Sequence, residues 1–88
     1  MDNKLFKAIK MCESEHDFIS LMQTTFTTKE LEMLEERWQI FNSLAKGLPH
    51  RAVATLNECS IATVTRGAKT YRENKPTIDK YLKFMFNE

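Results

Sequence analysis

The sequence predicts an all-α protein of six helices built around a helix-turn-helix, on three observations. Apolar residues recur at intervals of three and four along most of the chain, which gathers them on one side of a helix. Only two glycines and two prolines punctuate the 88 residues, so the connections are short. Two short helical segments, Pro49 to about Leu56 and Ser60 onward, flank a polar turn at Asn57-Glu58-Cys59. In that arrangement the second helix can enter the major groove of DNA.

The first helix is expected from about Asn3 to Met11, with Leu5, Phe6, Ala8, Ile9 and Cys12 along its apolar side. Ser14 opens a second, in which Phe18, Ile19, Leu21 and Met22 are the residues to bury. Thr27 and Glu30 make a T-x-x-E capping box, each side chain satisfying the other residue's free amide, and begin the longest helix. That helix runs to about Lys46, where Gly47 is placed to terminate it. Leu31, Leu34, Trp38, Phe41 and Leu44 follow helical spacing on one of its faces. Leu48-Pro49 begins the fourth helix, since proline is tolerated in an opening turn. The turn after it lacks the usual glycine, and Asn57 is the residue there that most readily adopts a left-handed conformation. Ser60 is a good N-cap for the fifth helix. Pro76 starts the sixth, with Ile78, Tyr81, Leu82, Met85 and Phe86 apolar. The whole is expected as a single domain, residues 1–88, with the helix-turn-helix at about 49–73.

The fifth helix carries the chemistry. Val64, Ala68 and Tyr71 form its inward stripe, with Ile61 at the exposed end. Its other side holds Thr63, Arg66, Lys69, Thr70 and Arg72. Small residues at the start, Ala62 and Thr63, allow close approach to base edges, and threonine bonds either base type. Gly67 costs about 1 kcal/mol relative to alanine inside a helix, so a close neighbour, ligand or backbone, is expected beside it. Periodicity and charge alone fit an ordinary solvated amphipathic helix equally well.

The residue string decides between them. Ile61-Ala62-Thr63-Val64-Thr65-Arg66-Gly67 is almost identical to the recognition-helix sequence of the tryptophan repressor family. The resemblance continues upstream through Phe26-Thr27-Thr28-Lys29-Glu30-Leu31-Glu32 and Arg37-Trp38-Gln39-Ile40 to Gly47, and covers about Asp17 to Lys83. It implies an intertwined homodimer formed through N-terminal and C-terminal helices, repressing transcription at a palindromic double-stranded operator. It also implies L-tryptophan as corepressor, with no other cofactor. Matching positions for the ligand are Thr27, Arg37 and Arg66, with Gly67 and Thr70 nearby and Phe41 at the pocket wall. Phe41 departs from the family, which has a smaller aliphatic residue there. Matching positions for DNA are His50, Arg51, Ile61, Ala62, Thr63 and Thr65, with Lys69 and Arg72 meeting phosphate. Each has a plainer role too: Thr27 as an N-cap, Arg37 as a partner of Glu30 or Glu36, Arg66 as a phosphate contact. The connection Gly47-Leu48-Pro49-His50 is shorter than the family pattern.

Composition agrees with a dimeric DNA binder. The net charge is only +1, but it is unevenly spread. Residues 1–36 hold four Lys/Arg against eight Asp/Glu, and residues 37–88 hold nine against four. The basic half contains the helix-turn-helix, as phosphate binding by one face requires. Six phenylalanines and Trp38 are too many for one thin bundle to bury, which favours dimerisation. Cys12, Cys59, His16 and His50 have no metal-ligand spacing. No His/Asp/Glu/Cys constellation or glycine-rich phosphate loop suggests an enzyme. No apolar run is long enough to span a membrane and no secretory signal precedes the first helix, so a cytoplasmic location with reduced thiols is expected. Two other readings stay open: a repressor of this fold with a different effector or none, and a helical protein-interaction module.

Overall fold

The computed structural model describes residues 3–86. Among them are six helices and no strand: α1 (Lys4–Met11), α2 (Glu15–Thr25), α3 (Thr28–Ala45), α4 (His50–Leu56), α5 (Ile61–Glu73) and α6 (Lys75–Met85). The chain divides into two compact units, Met1–Met33 and Leu34–Glu88.

In the first unit the helix starts follow from local side-chain chemistry. Asn3 caps α1 by accepting from the Phe6 amide at 3.0 Å, and Ser14 caps α2 by accepting from the Asp17 amide at 3.0 Å. Thr27 and Glu30 close their capping box in both directions, at 2.8 and 3.1 Å. Packing is sparse by comparison. No residue of α1 or α2 is buried, and Leu5, Phe6, Met11, Phe18 and Ile19 are exposed.

The second unit contains two buried clusters. Ile40, Val53, Ala54 and Val64 form one, with Leu44 and Cys59 packed against it. Phe41, Ile78 and Leu82 form the other, with Trp38, Tyr71 and Phe86 against it. Ile40 and Phe41 are sequence neighbours on α3, about 100° apart around its axis, so α3 serves α4 and α5 with one residue and α6 with the next. The expected stripe on α3 holds at Trp38, Phe41 and Leu44 and is widened toward α4 and α5. Leu34 is exposed, and Ile40, outside that stripe, is 3% exposed. Full burial of Val53 and Val64 contributes about 1.5–3 kcal/mol for each side chain.

Two helices of this unit end in the same way. At α3, the Gly47 amide donates to Leu44 O at 2.9 Å and the Leu48 amide to Ser43 O at 3.4 Å, with Gly47 at φ 81°. At α4, the Glu58 amide donates to Thr55 O at 3.3 Å and the Cys59 amide to Ala54 O at 3.0 Å. Both are Schellman endings, which need one left-handed residue. In the second that residue is Glu58, at φ 52°, not Asn57, whose φ is −98°. Asn57 works through its side chain instead. Its Nδ2 donates to Val53 O at 2.9 Å and to Ser43 Oγ at 3.4 Å, tying the turn to α3. Ser43 is 5% exposed and donates in turn to Gln39 O at 3.1 Å, so its burial is satisfied.

Glutamate at a left-handed position carries a steric cost of roughly 1–2 kcal/mol, because its Cβ crowds the backbone oxygen. Glu58→Gly removes that clash and gives back part of the gain as unfolded-chain entropy. The net expectation is stabilisation by about 0.5–1 kcal/mol, or a few degrees in Tm for a chain of this size. Thermal unfolding by circular dichroism checks it, and an unchanged or lower Tm would contradict the assignment.

Asn74 is both the C-cap of α5 and the N-cap of α6, so a single non-helical residue joins them. Pro76 falls in the first turn of α6, which begins one residue earlier than its proline suggested. Among the described residues no helix is long and apolar enough to cross a membrane, and no group of three His, Cys, Asp or Glu could hold a metal ion.

Candidate nucleic-acid interface and effector site

The turn Asn57–Ser60 sets α5 across α4, with Val53 and Val64 locked together beneath the crossing. Ser60 accepts from the Thr63 amide at 3.1 Å and so starts α5 one residue later. With Val64, Gly67, Ala68 and Tyr71 turned toward the core, the opposite side of the helix faces outward. Ile61, Ala62, Thr65, Arg66, Lys69 and Arg72 are exposed, and Thr63 is half-buried. The first turn of α5 contains no carboxylate, whereas α2 and α3 carry Glu15, Asp17 and Glu30 in theirs. The N-terminal amides of α5 thus keep their positive potential for an anion. His50 and Arg51 are exposed in the first turn of α4.

Hydroxyl groups connect along α5. Ser60 Oγ and Thr63 Oγ1 lie 2.9 Å apart, and Arg66 Nη2 donates to Thr63 Oγ1 at 3.4 Å. Thr65 and Thr70 donate to the carbonyls of Ile61 and Arg66, at 3.0 and 3.3 Å, leaving their lone pairs free to accept. Sequence reasoning named these residues one by one and missed the link between Thr63 and Arg66, although their i, i+3 spacing was the available signal.

The expected effector residues are placed as follows. Arg37 is exposed on α3 and, among the described residues, forms no salt bridge with Glu30 or Glu36. Arg66 is exposed, and Thr70 lies one turn beyond it. Gly67 does have a close neighbour, but it is a side chain: a Cβ there would stand 3.1 Å from Ile40 Cγ2. That methyl sits on a stiff β-branched carbon in the core, so the glycine lets α5 approach α3. Phe41, expected at a pocket wall, is 3% exposed and packs on Ile78 and Leu82, with the Trp38 ring edge-on at 5.2 Å. Thr27 belongs to the first unit, where its hydroxyl accepts from the Glu30 amide and keeps its hydrogen to donate. An open, largely apolar groove of about 550 Å³ runs along α4, lined by Leu48, Pro49, Arg51, Ala52, Thr55 and Leu56. None of the six expected effector residues lines it.

Both cysteines are free. Burial, and secondly the Glu36 carboxylate, push the Cys59 thiol up, so it stays protonated at neutral pH and is a poor nucleophile or metal ligand.

A family model described as Trp repressor protein matches residues 2–85, nearly the whole chain. No curated protein and no solved structure gives a match.

Proposed function

The chain belongs to the Trp repressor protein family, whose members are DNA-binding transcriptional repressors and not enzymes, and on that premise we propose how it reads DNA and what controls it. It acts as a homodimer that sets two copies of α5 in successive major grooves of a palindromic operator, about 34 Å apart. Its corepressor is L-tryptophan, and it works in the cytoplasm.

The observation that carries this reading is the division of labour on α5. Val64 and Ala68 hold the helix in the core, while Ile61, Ala62, Thr65, Lys69 and Arg72 are exposed together. Thr63 and Thr65 supply hydroxyls to base edges, and Ile61 and Ala62 offer apolar contact to a thymine methyl. Lys69, Arg72 and, from α4, His50 and Arg51 meet phosphate or the groove edge. Exposed Leu5, Phe6, Phe18 and Ile19 on α1 and α2, and Tyr81, Phe84 and Met85 on α6, supply the apolar surface that a partner subunit would cover. For the effector, Arg37 and Arg66 present planar cations that stack on an indole and pair with a carboxylate. Gly67 and Thr70 lie beside Arg66 on the same helix, with Phe41 as a core residue of that unit.

Equilibrium titration of duplex DNA at rising salt, with and without saturating L-tryptophan, tests the reading. The expected result is a steep salt dependence and affinity that rises several-fold with the ligand. In the same assay Lys69→Ala is expected to weaken all duplexes alike and reduce the salt slope by about 1, whereas Thr63→Ala alters sequence preference. Equal affinity with and without tryptophan would leave a repressor with another effector or none. Absence of salt-dependent duplex binding would leave a protein-interaction module.

A further inference from the structure

We propose that Tyr71, Asp79 and Lys75 form a clamp that fixes the angle between α5 and α6, and so sets how well the repressor discriminates its operator from other DNA. The proposal rests on the reading of α5 as the DNA-reading helix. Its basis is the joint between the two helices. Only Asn74, at φ −129° and ψ 26°, is non-helical there, and one residue supplies two soft torsions. The bonds of Asn74 itself run along the chain: its amide and side chain donate to Thr70 O, both at 3.0 Å, and its carbonyl accepts from the Ile78 amide at 2.9 Å.

One side-chain bond crosses the joint directly. Tyr71 Oη, on α5, donates to Asp79 Oδ1, on α6, at 2.7 Å. The other carboxylate oxygen takes Lys75 Nζ at 2.7 Å, and that ammonium lies 5.7 Å from the centre of the Tyr71 ring. Lys75–Asp79 alone is an exposed i, i+4 pair and contributes little. Its role is to keep Asp79 ionised and aimed at the phenol, where a charge-assisted O–H···O⁻ bond is about twice as strong as a neutral one. The side chains respond accordingly. Burial and then the bond to Asp79 push the Tyr71 phenol up, and the bonds from Lys75 and then Tyr71 hold the Asp79 carboxyl down. The Tyr71 ring also packs on the cluster of Phe41, Ile78 and Leu82, so the bond is anchored to the core.

The angle matters because the ends of this joint have different duties. Helix α6 exposes Tyr81, Phe84 and Met85, the apolar surface proposed for the partner subunit, while α5 faces DNA. The α5–α6 angle therefore converts dimer geometry into the separation of two reading helices. Base-edge contacts tolerate little error in that separation, whereas phosphate contacts adapt. Loosening the joint lowers the ratio of specific to non-specific affinity and leaves the non-specific part alone.

The full chain is used for the test, with Tyr71→Phe, Asp79→Asn and their combination. Tyr71→Phe keeps the ring and its packing, and Asp79→Asn is a second variant should the first fail to fold. The probes are the tightest duplex that the wild type selects from a randomised palindromic pool and a scrambled duplex of equal length. Expected is a loss of roughly three- to tenfold in the ratio of the two affinities, with scrambled-duplex affinity and helix content unchanged. The double variant should lose no more than Tyr71→Phe, since Asp79→Asn only weakens, by removing its charge, the bond that Tyr71→Phe removes. Amide exchange near Asn74 should accelerate in the free protein with global stability retained. An unchanged affinity ratio in Tyr71→Phe would overturn the clamp, as would a uniform loss on both duplexes. If the wild type selects no duplex, the DNA-reading role of α5 falls and takes the clamp's function with it. Exchange at Asn74 then still reports whether the bond holds the joint, which separates the two failures.

Discussion

Val64→Asp is expected to leave the C-terminal unit unfolded and duplex binding abolished. Val64 is 0% exposed and enclosed by Ile40, Val53 and Ala54. The partly buried groups packed on that cluster are Leu44 and Cys59, and neither offers a strong donor to a carboxylate. An unpaired buried carboxylate costs several kcal/mol even after relaxation, against a total stability of about 5–15 kcal/mol for a whole domain. A unit of this size has little in reserve. Val64→Ala grades the effect, since it removes two methyl groups and leaves a cavity, for roughly 2–3 kcal/mol. It should still fold at low temperature and bind DNA there. Denaturant unfolding followed by circular dichroism, paired with duplex titration, measures both. A wild-type midpoint in Val64→Asp would mean that the α4–α5 crossing is not closed over this residue. The recognition surface would then not depend on the core beneath it.

How much of this was legible from the sequence depends on how local the cause is. Ser14, Thr27 with Glu30, and Ser60 cap helices through bonds spanning three residues, and Gly47 ends α3 by its own backbone freedom. Such features need nothing from the rest of the fold. The exposed face of α5 was legible too, because its period separates Val64 and Ala68 from Lys69 and Arg72. Tertiary causes were not. Ile40 outranks Leu34 in burial because α4 and α5 arrive on that side of α3. Gly67 was visibly unusual in a helix, but only packing shows that Ile40 Cγ2 is its neighbour. Glu58 carries no residue signature for a left-handed turn, and Asn57 beside it carries a strong one. The assignment followed propensity where the Schellman geometry, one residue on, decides. Phe41 was placed at a pocket wall by resemblance, while its neighbours Ile78 and Leu82 lie nearly forty residues further along the chain. Sequence spacing contains no trace of that contact.

Arg66→Ala should remove the response of DNA binding to L-tryptophan, making operator affinity equal with and without the ligand. The argument starts from how loosely Arg66 is held. Its guanidinium is exposed and donates to one neutral hydroxyl, Thr63 Oγ1, at 3.4 Å, a long and weak bond. A carboxylate or an aromatic face competes for it at little cost. Thr63 Oγ1 is also 2.9 Å from Ser60 Oγ at the start of the helix. A ligand that captures Arg66 therefore changes what the Thr63 hydroxyl can offer to a base edge. Coupling of this kind is usually about 1–3 kcal/mol, or 5- to 150-fold in affinity, and the variant should lose that factor. The plainer role, a phosphate contact, makes different predictions. Truncation would then reduce the salt slope by about 1 and leave the ligand response intact. Arg66→Lys separates them further: lysine restores a phosphate contact but not planar stacking or bidentate pairing, so the ligand response should stay lost. Operator titrations at two salt concentrations, each with and without saturating L-tryptophan, give all four quantities. A full ligand response in Arg66→Ala would assign the residue to phosphate and move the effector site away from this end of α5.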